Sequence, residues 1–84
     1  MQNNWKNKNV LITGINGFIG GNLCKSLLLK GANVFGLIRN YNKTSFLFFE
    51  KLEKKIKIIE GDIVNPSLLE GILSENNINF VFHL

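Results

Sequence analysis

The sequence predicts an α/β fold: a doubly wound parallel sheet, of which residues 1–84 would supply the first four strands within one domain. Two observations predict it. Short apolar runs of strand length alternate with stretches of helical periodicity, an order that implies right-handed crossovers and parallel pairing. A glycine-rich step, Gly14-Ile15-Asn16-Gly17-Phe18-Ile19-Gly20, stands at the joint between the first strand and the first helix.

Each element follows from its own residues. Val10-Leu11-Ile12-Thr13 is a short apolar run after a polar lead, as in a strand buried on both faces. From Phe18 to Lys30 apolar residues recur at helical spacing, through Ile19, Leu23, Cys24, Leu27 and Leu28, and Gly31 supplies a left-handed stop. Val34-Phe35-Gly36-Leu37-Ile38 reads as a second strand, and Arg39 to Ser45 as a polar turn. Phe46 to Lys55 reads as a short helix and Ile56 to Glu60 as a third strand. Gly61-Asp62 breaks that strand. Asn65-Pro66 then gives an N-cap followed by proline at the first helical position, opening a helix to about Glu75 with Leu68, Leu69, Ile72 and Leu73 inward. Asn79 to Leu84 forms a fourth, buried strand with Phe80-Val81-Phe82 at its centre. Its apolar outer edge would be open in this chain and invite pairing with another.

Composition narrows the function classes. Hydrophobic residues at 45% against 19% charged indicate a globular chain. The net charge of +4 comes from nine lysines and one arginine against six acids, without an arginine-rich block, so a nucleic-acid role is not expected. The single cysteine, Cys24, excludes an internal disulfide and a cysteine-based metal cluster, and it reads as a small buried apolar residue. Residues 1–9 are polar and lack the apolar segment of a secretory leader. No apolar run approaches the ~18 residues of a membrane span, so a cytoplasmic location is expected.

The glycine step carries the chemistry. Gly14 allows the tight turn out of the strand, Gly17 clears the helix N-terminus for a pyrophosphate, and Gly20 lets the helix pack closely on the sheet. Amides of the first helical turn and the positive end of the helix dipole would then hold the phosphates. This is a Rossmann-type arrangement, with the spatial strand order 3-2-1-4. A tight strand-to-helix turn without ligand is the plainer alternative.

The run Val10-Leu11-Ile12-Thr13-Gly14-Ile15-Asn16-Gly17-Phe18-Ile19-Gly20 resembles the T-G-x-x-G-F-I-G opening of extended short-chain dehydrogenases, the NAD-dependent epimerase/dehydratase family. Gly61-Asp62-Ile63 is similar to that family's G-D-[IVL] step after the third strand, and Val81-Phe82-His83-Leu84 to its V-F-H-L. Trp5-Lys6-Asn7-Lys8-Asn9-Val10 and Val34-Phe35-Gly36-Leu37-Ile38-Arg39 look most like CDP-glucose and GDP-mannose 4,6-dehydratases. By resemblance Gly14, Asn16, Gly17, Phe18 and Ile19 would surround the pyrophosphate. Asp62 and Ile63 would meet the adenine, and Leu84 would begin the segment passing the riboses. Asp62 as a plain turn residue is the alternative.

One departure bears on the cofactor. NAD-selective sheets carry an acid at the end of the second strand for the ribose 2′-hydroxyl. Here Ile38 and Arg39 stand there, and an arginine can pair with a 2′-phosphate, so the sequence leans to NADP over NAD. Arg39 as a solvated strand-end cation is the bland alternative, and some NAD users in the family also lack the acid.

The resemblance further implies a Ser/Thr and a Tyr-x-x-x-Lys pair as the catalytic groups. No Tyr-x-x-x-Lys is present: the one tyrosine, Tyr41, has Ser45 four residues on. His83 has no Ser or Asp partner at motif spacing and reads as structural. No catalytic or metal-ligating residue is therefore assigned. The chain is expected to be an inactive, cofactor-binding N-terminal fragment of a nucleotide-sugar 4,6-dehydratase or epimerase, whose longer parent takes a nucleotide sugar and is a homo-oligomer. A non-catalytic dinucleotide-binding module, or a piece of an atypical NADP-dependent reductase, are the other readings.

Overall fold

Val10, Leu11 and Ile12 are each fully buried on β1 (Asn9–Thr13), one of two central strands of a four-stranded sheet. The computed structural model describes residues 5–15, 17–39, 51–62 and 64–84. After β1 come α1 (Phe18–Leu29), β2 (Asn33–Ile38), a 3-10 turn (Leu52–Lys54), β3 (Lys57–Glu60), α2 (Pro66–Glu75) and β4 (Phe80–His83). The strand order is β3-β2-β1-β4 and every pairing is parallel, as the alternation of elements implies.

Side chains alternate across the sheet with the two-residue period of a strand. Val10, Ile12, Val34 and Ile38 join Cys24 and Leu27 of α1 in one buried cluster. Leu11 and Leu37 join Ile72 of α2 in another, with Leu68, Leu69 and Leu73 only partly covered. The helices thus lie on opposite faces, which makes the sheet doubly wound. Gly36 sits on the α1 face, where an added Cβ would lie 2.7 Å from Ile15 Cγ2. Its missing side chain is the space that the fully buried Ile15 fills.

Local chemistry sets the helix ends. Gly31, at φ +86°, closes α1: its N–H donates to Leu28 O at 3.1 Å and that of Ala32 to Leu27 O at 3.0 Å. That pair of bonds satisfies carbonyls the last turn would otherwise leave open. At the start of α2, Asn65 Oδ1 accepts the Leu68 N–H at 3.1 Å, with Pro66 in the first turn.

Two expectations change. Of the short helix expected over Phe46 to Lys55, residues 46–50 lie outside the described ones. The rest is a 3-10 turn following Lys51, whose left-handed backbone at φ 58° stops any α-helix from running through it. The fourth strand is not a buried one. Phe80, Val81 and His83 are exposed and Phe82 is half-buried, because β4 pairs only with β1 and no described element covers its outer side. Trp5 packs against it instead, with its ring 5.1 Å from that of Phe80 and 6.0 Å from that of Phe82.

Candidate functional site

Parallel pairing brings four strand ends to one edge. Thr13 lies opposite Leu37 on one side and His83 on the other, and Ile38 lies opposite Glu60. Gly14, Arg39, Gly61-Asp62 and Leu84 therefore leave the sheet together. From β1 the chain builds outward through β2 and β3, then returns to place β4 on the other side of β1. This reversal is the topological switch point at which open α/β sheets bind ligands.

The loop between β1 and α1 is shaped by backbone contact. Gly14 has φ +67°, a left-handed conformation, and a Cβ there would lie 3.3 Å from Leu84 O. Gly20 fits α1 directly against the loop: an added Cβ would lie 2.5 Å from Gly14 O and 2.8 Å from Ile15 Cα. Gly17, the N-cap of α1, differs from both. Its φ of −83° suits any residue, and among the described residues outside its own chain neighbours its Cβ would meet only Gly14 O, at 3.5 Å. The described residues leave this side of Gly17 open, as a phosphate cradle requires. Beyond it Phe18 and Ile19 are 73% and 72% exposed, an apolar surface at the start of a helix whose first-turn amides have no acceptor within the helix.

Thr13 ties the two sides of the switch point together. Its hydroxyl, on a residue only 4% exposed, accepts the Leu84 N–H at 3.2 Å and lies 2.7 Å from His83 Nδ1. His83 is thus bound into the strand ends. Across the sheet, Asp62 Oδ1 accepts the Val64 N–H at 3.1 Å, the bond of a turn residue, while its Oδ2 lies 3.8 Å from Arg39 Nε. Gly61 permits this turn to pass beneath α2, because a Cβ there would collide with Leu68 Cδ2.

Of the residues singled out in the sequence, Gly14, Gly17, Phe18, Ile19, Arg39, Asp62 and Leu84 all stand at this edge. Asn16 and Ile63 lie outside the described residues. Sequence reading missed Thr13 and Ile15 as builders of the site. A hydroxyl at the end of an otherwise apolar strand was a usable signal, since a buried polar group must find a partner. Cys24 is fully buried in α1, and burial pushes its thiol up to about 11. Among the described residues no group of three or more His, Cys, Asp or Glu could hold a metal ion, and no helix is long and apolar enough to cross a membrane.

A family model described as GDP-mannose 4,6 dehydratase matches residues 11–84. The chain belongs to this family. A UDP-glucose 4-epimerase of Bifidobacterium longum is 37% identical over 78 residues, covering 88% of this chain and 23% of the relative. A GDP-mannose 4,6-dehydratase of Sordaria araneosa is 35% identical over 77 residues, covering 92% and 14%. Among solved structures, an epimerase from Methanothermobacter thermautotrophicus superposes with a TM-score of 0.79 at 32% identity, covering 98% of this chain and 24% of that one. The UDP-glucose 4-epimerase from B. longum, solved in complex with NAD+ and UDP, gives 0.76 at 34% identity, covering 92% and 24%. The chain spans about a quarter of the length of the B. longum, Neisseria meningitidis and Haemophilus influenzae UDP-glucose 4-epimerases it matches. These likenesses bear out the epimerase/dehydratase resemblance carried by the three motifs.

Proposed function

We propose that this chain binds the pyrophosphate of a nicotinamide dinucleotide at the Gly14–Gly20 loop, as the cofactor-holding part of a nucleotide-sugar 4,6-dehydratase or epimerase. The observation that carries the reading is the side of Gly17 that the described residues leave open at the N-terminus of α1, set at the switch point of a parallel sheet. Gly14, Gly17, Phe18 and Ile19 would line the pyrophosphate, joined by Asn16. Asp62 and Ile63 would meet the adenine, and Leu84 would flank the riboses. When bound, the dinucleotide supplies hydride acceptance and return. This chain contributes binding and orientation.

Arg39 at the end of β2 favours NADP by its chemistry, since a guanidinium can take a 2′-phosphate. The B. longum epimerase, solved with NAD+, favours NAD. No Tyr-x-x-x-Lys is present, so the 84 residues alone turn over no sugar. Activity on a nucleotide sugar, a homo-oligomeric state and a cytoplasmic location are proposals for the longer parent.

Titration of the purified chain with NAD and NADP tests the reading. Gly17→Val fits the backbone but puts a branched side chain on the phosphate side, and should abolish measurable binding of both. Unchanged affinity in that variant would overturn the assignment.

A further inference from the structure

Asp62 follows β3, yet its carboxylate faces the end of β2, with Oδ2 3.8 Å from Arg39 Nε. Its place does not depend on that pair. The Gly61 N–H donates to Ile38 O at 2.9 Å and joins the two strand ends, while Oδ1 is held by the Val64 N–H. A carboxylate, absent from the end of β2 itself, thus stands beside that end from the neighbouring strand.

We infer that Asp62 is a specificity-determining residue: by engaging Arg39 it offsets the preference for a 2′-phosphate that the arginine alone would impose. The inference rests on the strand ends being a dinucleotide site. A guanidinium and a carboxylate at one edge sum to zero charge. The carboxylate competes for the same N–H donors that a phosphate needs, and it repels the phosphate. It also retains acceptor capacity for a ribose hydroxyl, since an ionised carboxyl offers about four lone-pair positions. NADP thus gains less from Arg39 than it would from an unpaired arginine, and NAD loses nothing.

Asp62→Asn keeps an oxygen for the Val64 N–H, removes the charge and turns the other oxygen into an NH2 group. Any change at the adenine falls on NAD and NADP alike, so the affinity ratio isolates the effect on the 2′-phosphate. Dissociation constants for NAD and NADP are measured for the unaltered chain, Asp62→Asn, Arg39→Ala and the double variant. Asp62→Asn should raise the NADP-to-NAD affinity ratio about five-fold, the upper size of an interaction between partly exposed charges. That gain should vanish when Arg39 is also replaced. An unmoved ratio would overturn the inference, and so would an equal gain with and without Arg39, since Asp62 would then not act through the arginine. If the unaltered chain binds neither cofactor, the site reading itself fails, a result distinct from two cofactors bound at an unmoved ratio.

Discussion

Gly17 and Gly20 stand three residues apart in one turn, and an added side chain has opposite meanings at them. At Gly20 it meets backbone atoms that cannot yield, so Gly20→Ala should destabilise the fold by ~2 kcal/mol or more, in the range of overpacking. Gly17→Val should leave the melting temperature nearly unchanged while removing the ligand. Thermal melts without cofactor check the contrast, and equal losses in both variants would contradict it. Cys24 gives a second residue-scale test. Its thiol keeps its proton in the fold up to about 11, whereas an unfolded thiol releases it near its ordinary value of 9.0. Stability from this group is complete below about 9 and is lost as pH rises toward about 11. Cys24→Ala should therefore show a shallower alkaline decline in denaturant titrations, and an identical pH profile would argue against a buried thiol.

At the scale of elements, the ends are fixed by single polar or permissive residues. Asn65→Ala removes the acceptor for the Leu68 N–H and should cost about 1 kcal/mol of stability in urea unfolding, the usual value of an N-cap. These ends were legible in the sequence because glycine, proline and asparagine act through local backbone geometry: Gly31, Asn65 and Pro66 each stop or start a helix where their chemistry says they should. The 3-10 turn was not legible, since nothing in Lys51-Leu52-Glu53 announces a left-handed lysine. The open outer edge of β4 was legible from the strand order, but the exposure of the strand's residues was not, because Phe80-Val81-Phe82 is apolar enough to read as buried. The loop glycines of the site could be read from their spacing. The Thr13–His83 and Arg39–Asp62 contacts could not, as they join residues 70 and 23 positions apart and exist only once the strand order has set β4 beside β1 and β3 beside β2.

Across the whole molecule the two faces of the sheet are covered unequally, and β4 offers an outer edge with no strand beside it among the described residues. Its Phe80 and Val81 are 46% and 47% exposed, and an apolar edge invites pairing between chains. Self-association of the 84-residue chain should rise with concentration, and Val81→Lys should suppress it in sedimentation or light scattering. A monomer unaffected by concentration would show that Trp5 shields the edge well enough. Ile15 has a different kind of consequence. The loop that would touch the dinucleotide carries its own anchor in the core, wedged against Gly36, so much of its conformational freedom is surrendered when the sheet forms and not when the ligand arrives. Preorganisation of that sort lowers the entropic cost of association. It should also couple recognition to folding, so that cofactor binding fades over the temperatures at which the sheet unfolds.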